Sequence, residues 1–238
     1  MSRIKQQLIS AFFPNKCMGC GEIIAEGKYF CDFCEKHIEK NDLGNFCTVC
    51  GYETGNCVCN YNIYRFEKLI SVFKNEGIAQ SAYYSYKFKH RQHYAHFFAS
   101  EIANAVNLLY PDIGFDCICA VPAGKSVFRK SKFDHCNYLC KDIAKMLNIP
   151  YAYRLLDCKK GKKQQHKLSI KERLSNVNGK FYYNYRVDGT TVLLIDDIRT
   201  TGATLDECAK TLLYAGAEKV YCATALTTIF KQKNQIAK

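Results

Sequence analysis

Two groups of residues in this chain have types and spacings that can do chemistry. The first is eight cysteines arranged as Cys17/Cys20, Cys31/Cys34, Cys47/Cys50 and Cys57/Cys59. A Cys-x-x-Cys turn presents two thiolates to one ion, and two such turns complete a tetrahedral site. Spacing and ligand softness favour structural Zn²⁺, one or two ions, with an iron–sulfur cluster as the rival. Sequential grouping is preferred, Cys17/Cys20/Cys31/Cys34 and Cys47/Cys50/Cys57/Cys59, with interleaving left open. Gly19, Gly21 and Gly51 sit in or just after these turns, where positive φ is often needed. The second group is the run Val192 to Leu205, in which Asp196 and Asp197 follow an apolar stretch and precede Thr200, Thr201, Gly202, Ala203 and Thr204. Small residues opening a helix aim backbone N–H groups and the positive end of the helix dipole at one spot, an anion site suited to phosphate. Two acids beside it suit a divalent cation or sugar hydroxyls.

The elements that must position these residues can be read from apolar patterning. Val192 to Ile195 is a continuous apolar run, as in a strand covered on both faces, and ligands of such sheets sit beyond the strands' carboxyl ends. The spacing predicts further strands at Leu69–Phe73, Phe115–Val121, Pro150–Leu156, Phe181–Tyr183 and Val220–Leu226. Helices are predicted after Gly77 as far as Lys89, over Phe97–Leu109, over Asp134–Leu147 and over Ala203–Ala215, with a short amphipathic helix in Met1–Pro14. Asn60 to Tyr64 reads as a linker. The fold class is α/β, a parallel sheet flanked by helices, with residues 1–60 as an N-terminal helix and zinc-binding domain and 61–238 as the larger domain. Pro122-Ala123-Gly124-Lys125-Ser126 looks like the end of a P-loop, but the glycine that pattern needs five residues earlier is Cys119. His90, His93 and His96 read as an exposed helix start rather than a metal site. The remaining cysteines, Cys117, Cys119, Cys136, Cys140, Cys158, Cys208 and Cys222, show no ligand spacing and read as small buried residues.

At 238 residues, 48% of them apolar, the chain is long enough for one good domain and a small one. No apolar run reaches the roughly 18–20 residues that span a bilayer, and the N-terminus lacks a signal peptide's apolar centre. A cytoplasmic protein without membrane insertion is expected. The net charge of +12 is uneven: residues 1–60 hold six basic and seven acidic residues, so the excess lies in residues 61–238. That excess suits polyphosphate ligands or nucleic acid.

The Asp-Asp…Thr-Thr-Gly-Ala-Thr run resembles the signature of the type I phosphoribosyltransferases, which bind phosphoribosyl pyrophosphate (PRPP). Three other features extend the likeness: the zinc module, a strand ending in Val121-Pro122, and the segment Gln165…Leu168-Ser169…Glu172-Arg173…Asn176-Val177. Taken in order they resemble the ComF family of amidophosphoribosyltransferase-like proteins over essentially the whole chain. Where that family usually shows Arg-Gly-Phe-Asn-Gln, this chain has Ser131-Lys132-Phe133-Asp134-His135. The resemblance implies a type I phosphoribosyltransferase sheet behind a double zinc ribbon. It implies PRPP binding by Asp196, Asp197, Thr200, Thr201, Gly202, Ala203 and Thr204. Pro122, Lys125, Arg129 and Lys132 would meet the pyrophosphate, Mg²⁺ would come with PRPP, and a basic loop carrying Gln165 and Arg173 would close over it. Asp196, Asp197 and Arg173 are the candidate catalytic residues. The implied role is DNA uptake in natural transformation, with single-stranded DNA and DNA-uptake machinery proteins as partners. The alternative is a metabolic phosphoribosyltransferase acting on an unidentified amine or base with no nucleic-acid role.

Overall fold

In a computed structural model, residues 14–57, 59, 64–88, 93–123, 134–159 and 179–228 are described. Among them the chain forms helix α1 (Asp32–His37), strand β1 (Leu69–Lys74), α2 (Gly77–Phe88), α3 (Tyr94–Leu109), β2 (Cys117–Ala120), α4 (His135–Leu147), β3 (Leu156–Cys158), β4 (Phe181–Tyr183), β5 (Thr191–Arg199), α5 (Ala203–Tyr214) and β6 (Lys219–Thr227). The expected helix in Met1–Pro14, except Pro14, lies outside the described residues, as does the linker apart from Tyr64.

Four strands form one parallel sheet in the order β1-β6-β5-β2. The two inner strands, β5 and β6, are covered on both faces, so their apolar runs are continuous rather than alternating. Along β5, Leu193 and Ile195 pack into one core with Phe98, Leu139 and Ile143. Val192 and Leu194 pack into the other with Leu205, Cys208 and Leu212 of α5. The seven cysteines outside the N-terminal pairs are all buried in or against these cores. Burial pushes the thiols of Cys119, Cys136, Cys140, Cys208 and Cys222 well above their ordinary titration range.

Three expectations shift in detail. The strand expected at Pro150–Leu156 contributes one parallel bridge, Tyr151 to Ile118. The strand proper starts at Leu156 and pairs antiparallel with β4 in a separate two-stranded sheet. The central strand runs past the two acids to Arg199, because β6 keeps pairing it from Asp196↔Thr224 to Arg199↔Thr227. Helix α3 begins at Tyr94 rather than Phe97, with exposed His93 as its N-cap residue.

The N-terminal module is fastened to the β1 edge of the sheet. Asn41 N–H donates to the Val72 carbonyl at 2.9 Å, and Leu69 N–H donates to the Thr48 carbonyl at 2.7 Å. Met18 and Phe30 belong to the same buried core as Phe73 and Phe98, and the Phe30 and Phe97 rings lie 5.0 Å apart.

Candidate functional site

The module holds two thiol clusters. The sulfurs of Cys17, Cys20, Cys31 and Cys34 lie within 4.8 Å of one another, and so do those of Cys47, Cys50, Cys57 and Cys59. Cys20 and Cys31 sulfurs are 3.8 Å apart, Cys47 and Cys59 3.5 Å, and Cys50 and Cys57 3.8 Å. A tetrahedron with Zn–S bonds of about 2.3 Å has edges of about 3.8 Å, so both clusters fit the ion. Burial alone would raise the Cys17 and Cys47 thiols, but hydrogen bonds from backbone N–H groups and neighbouring thiols of each cluster outweigh it and hold each at about 7. The two turns repeat one design. Gly21 N–H donates to the Cys17 carbonyl (3.0 Å) and Gly51 N–H to the Cys47 carbonyl (2.7 Å), both glycines at positive φ. Gly19 serves a different purpose, since a Cβ there would stand 2.7 Å from Ile78.

The second site lies at the carboxyl end of β5. Strand β2 stops pairing with β5 at Ala120↔Ile195, and Val121 N–H donates to the Ile195 carbonyl at 2.8 Å. Beyond that point β5 has β6 alone paired beside it among the described residues, and Asp196 and Asp197 follow at once on β5 as Pro122 follows Val121 after β2. Asp196 is 8% exposed. Burial, and then the charge of Asp197, push its carboxyl well above the usual carboxylate range. Asp197 behaves oppositely. Burial would raise it too, but the His135 hydrogen bond and the Lys87 ammonium outweigh that and hold it well below the usual range. Lys87, from α2, pairs with Asp197 Oδ2, and His135 Nε2, from α4, lies 3.1 Å from the same oxygen. The other oxygen, Oδ1, accepts from Ile198 N–H at 2.7 Å.

The loop after β5 opens α5. Gly202 sits at φ 81°, a left-handed conformation that glycine takes without cost, and is the N-cap residue of the helix. Thr201 Oγ1 accepts from Ala203 N–H at 3.3 Å. The Thr200 carbonyl accepts from the Tyr52 hydroxyl at 2.7 Å, and the Thr201 carbonyl from the Tyr64 hydroxyl at 3.4 Å.

The structure therefore brings Asp196, Asp197, Pro122 and the Thr200–Thr204 loop to one end of the sheet. Lys125, Arg129, Lys132, Gln165 and Arg173 lie outside the described residues. Lys87 and His135 were not anticipated as site residues. His135 offered a small signal, standing where the ComF pattern has glutamine. Lys87 offered none, being 110 residues from its partner.

Residues 8–61 match the double zinc ribbon domain family. The chain is 24% identical to the DNA utilization protein YhgH of Salmonella typhi over 216 residues, covering 87% of this chain and 94% of that one. It is 24% identical to the competence protein ComFC of Bacillus subtilis over 196 residues, covering 78% of each. Among solved structures, the glutamine PRPP amidotransferase from B. subtilis, complexed with ADP and GMP, is matched at 18% identity and a TM-score of 0.41, over 69% of this chain and 32% of that one. No helix among the described residues is long and apolar enough to cross a membrane. The chain is thus similar to YhgH and ComFC over most of its length, with a segment matching the double zinc ribbon ahead of a parallel sheet flanked by helices.

Proposed function

We propose that the chain binds PRPP at the end of β5 and acts in DNA uptake and utilization, handling single-stranded DNA. The observation that carries the PRPP reading is the joining of the acid pair to the Gly202 turn beyond the end of β2. N–H groups at the start of α5 and the threonine hydroxyls would hold the 5′-phosphate. Asp196 and Asp197 would meet the ribose hydroxyls. Carboxylate oxygens suit Mg²⁺, but Lys87 and His135 already take one oxygen of Asp197, which fits an acid that orients the ribose better than one that ligates the ion directly. Mg²⁺ arriving with PRPP supplies charge neutralisation on the pyrophosphate. If transfer follows, the protein's share is to position the ribose carbon, neutralise the leaving group and exclude water. Titration calorimetry with PRPP and Mg²⁺ tests this. Wild type is expected to bind, and a folded Asp196→Ala/Asp197→Ala double variant is expected to bind at least tenfold more weakly. Equal affinities would sink the assignment.

The nucleic-acid reading is supported by the exposed tyrosines of the small sheet. Tyr153, Tyr182, Tyr183 and Tyr185 are exposed around β3 and β4, Tyr153 at 61%. The Tyr185 hydroxyl donates to the Tyr153 carbonyl at 3.2 Å, which ties this cluster together. Lys159 and Lys180 flank it, and their backbones are joined, Lys159 N–H to the Lys180 carbonyl at 2.9 Å. Exposed phenol rings beside lysines suit bases that stack and phosphates that pair with cations, at about 1–3 kcal/mol per stacked base. Strand β3 lies close to the segment that follows β2, since the Cys158 thiol lies 3.6 Å from the Ala123 carbonyl. Oligonucleotide affinity should fall steeply with salt, and Tyr153→Ala/Tyr185→Ala should weaken it at least tenfold. An affinity that the double variant leaves intact would remove these tyrosines from the proposal.

A further inference from the structure

The two thiol turns are near-copies, yet among the described residues only the second reaches the phosphate loop. Cys17 N–H donates to the Glu22 carbonyl and Cys47 N–H to the Tyr52 carbonyl, each at 2.7 Å, so Glu22 and Tyr52 hold the same place in the two turns. Glu22 is exposed, whereas Tyr52 is buried. The Tyr52 hydroxyl donates to the Thr200 carbonyl, and its ring lies flat under Arg199, whose guanidinium carbon is 3.4 Å from the ring centre.

Arg199 is the second observation. It is 1% exposed, and its Nε and Nη1 have no hydrogen-bond partner among the described residues. Its Nη2 reaches the Tyr64 hydroxyl at 3.5 Å. A buried cation with so few hydrogen bonds is costly unless charge of the opposite sign lies near. Tyr52 lies two residues beyond Cys50, so the ring against Arg199 is carried by the second thiol turn itself. Four thiolates around one Zn²⁺ carry a net charge of about −2.

We propose that the second ribbon, once metallated, is the counter-charge and anchor of the Thr200–Thr204 loop, with Tyr52 and Arg199 as positioning residues. Zinc at Cys47/Cys50/Cys57/Cys59 and PRPP at the loop are then linked, each strengthening the other. The inference rests on the PRPP reading for its ligand but not for its geometry.

The test uses the full chain as wild type, Cys59→Ser and Tyr52→Phe. The readouts are zinc per chain, hydrogen exchange of the 199–205 backbone, and PRPP affinity with Mg²⁺. Cys59→Ser should lose one zinc and speed exchange in the loop. Tyr52→Phe keeps the ring and the metal, so it decides the matter even if the serine variant misfolds. It should exchange about 3- to 10-fold faster in the loop and bind PRPP weaker by a similar factor, as expected for one lost hydrogen bond. Loop exchange and affinity within twofold of wild type, with both zincs retained, would overturn the proposal. If wild type fails to bind PRPP but Tyr52→Phe still speeds loop exchange, the PRPP reading falls and the coupling stands.

Discussion

Asp196 and Asp197 are neighbours in sequence and opposites in chemistry. The sequence shows a pair of acids. It cannot show that Lys87 and His135 converge on one of them, since those contacts span 110 and 62 residues. The consequence appears in stability. Asp197, with its carboxyl held below the ordinary value, contributes stability that is present above the unfolded pKa of about 3.9 and is lost as pH falls through the folded value. Asp196 has the reverse sign, so charging it costs stability as pH rises above about 3.9 toward its raised folded value. Asp196→Asn should therefore leave urea stability at pH 7 unchanged or higher. Asp197→Asn should lower it by about 3 kcal/mol, the cost of stranding a mostly buried lysine. Equal losses in the two variants would show that the acids share one environment.

At the scale of elements, continuous apolar runs located β1, β5 and β6 because buried parallel strands need no alternation. The same logic failed at Pro150–Leu156, where the apolar residues serve the core as an irregular segment, and the hydrogen bonds go to β4 instead. It also ended β5 too early, since strand length there is set by pairing with β6 and not by hydropathy. The turn into α5 was legible through Gly202, which has two reasons to be glycine. Its φ of 81° is left-handed, and an added Cβ would stand 3.1 Å from the Tyr64 ring. Gly202→Ala is expected to cost about 1–2 kcal/mol in urea unfolding, from the backbone term alone, and to weaken PRPP binding with it. A neutral effect on both would mean that the loop does not need this conformation.

At the scale of the molecule, cysteine spacing disclosed metal-ligand pairs and only a preference for sequential grouping, which the two clusters of sulfurs bear out. It disclosed nothing of how they attach, because docking depends on residues of ordinary type: Asn41, Thr48, Met18, Phe30 and Tyr52. With Met18 and Phe30 sharing the core of Phe73 and Phe98, the ribbons and the sheet should unfold together. Calorimetry with and without a zinc chelator should give one transition, moved to lower temperature when the metal is withdrawn. Two transitions, the upper one unmoved, would show that the ribbons fold alone.

The buried cysteines give the chain a chemical asymmetry. Fifteen thiols are present, and the seven outside the ribbons are sealed in the cores, most with protons held tightly by burial. Alkylation depends on exposed thiolate, so those seven are silent in the folded state. The eight ribbon thiols become reactive only as metal leaves. Oxidants and electrophiles would then meet this protein almost entirely through its zinc ribbons, and damage to the second of them would fall beside the loop that Tyr52 holds.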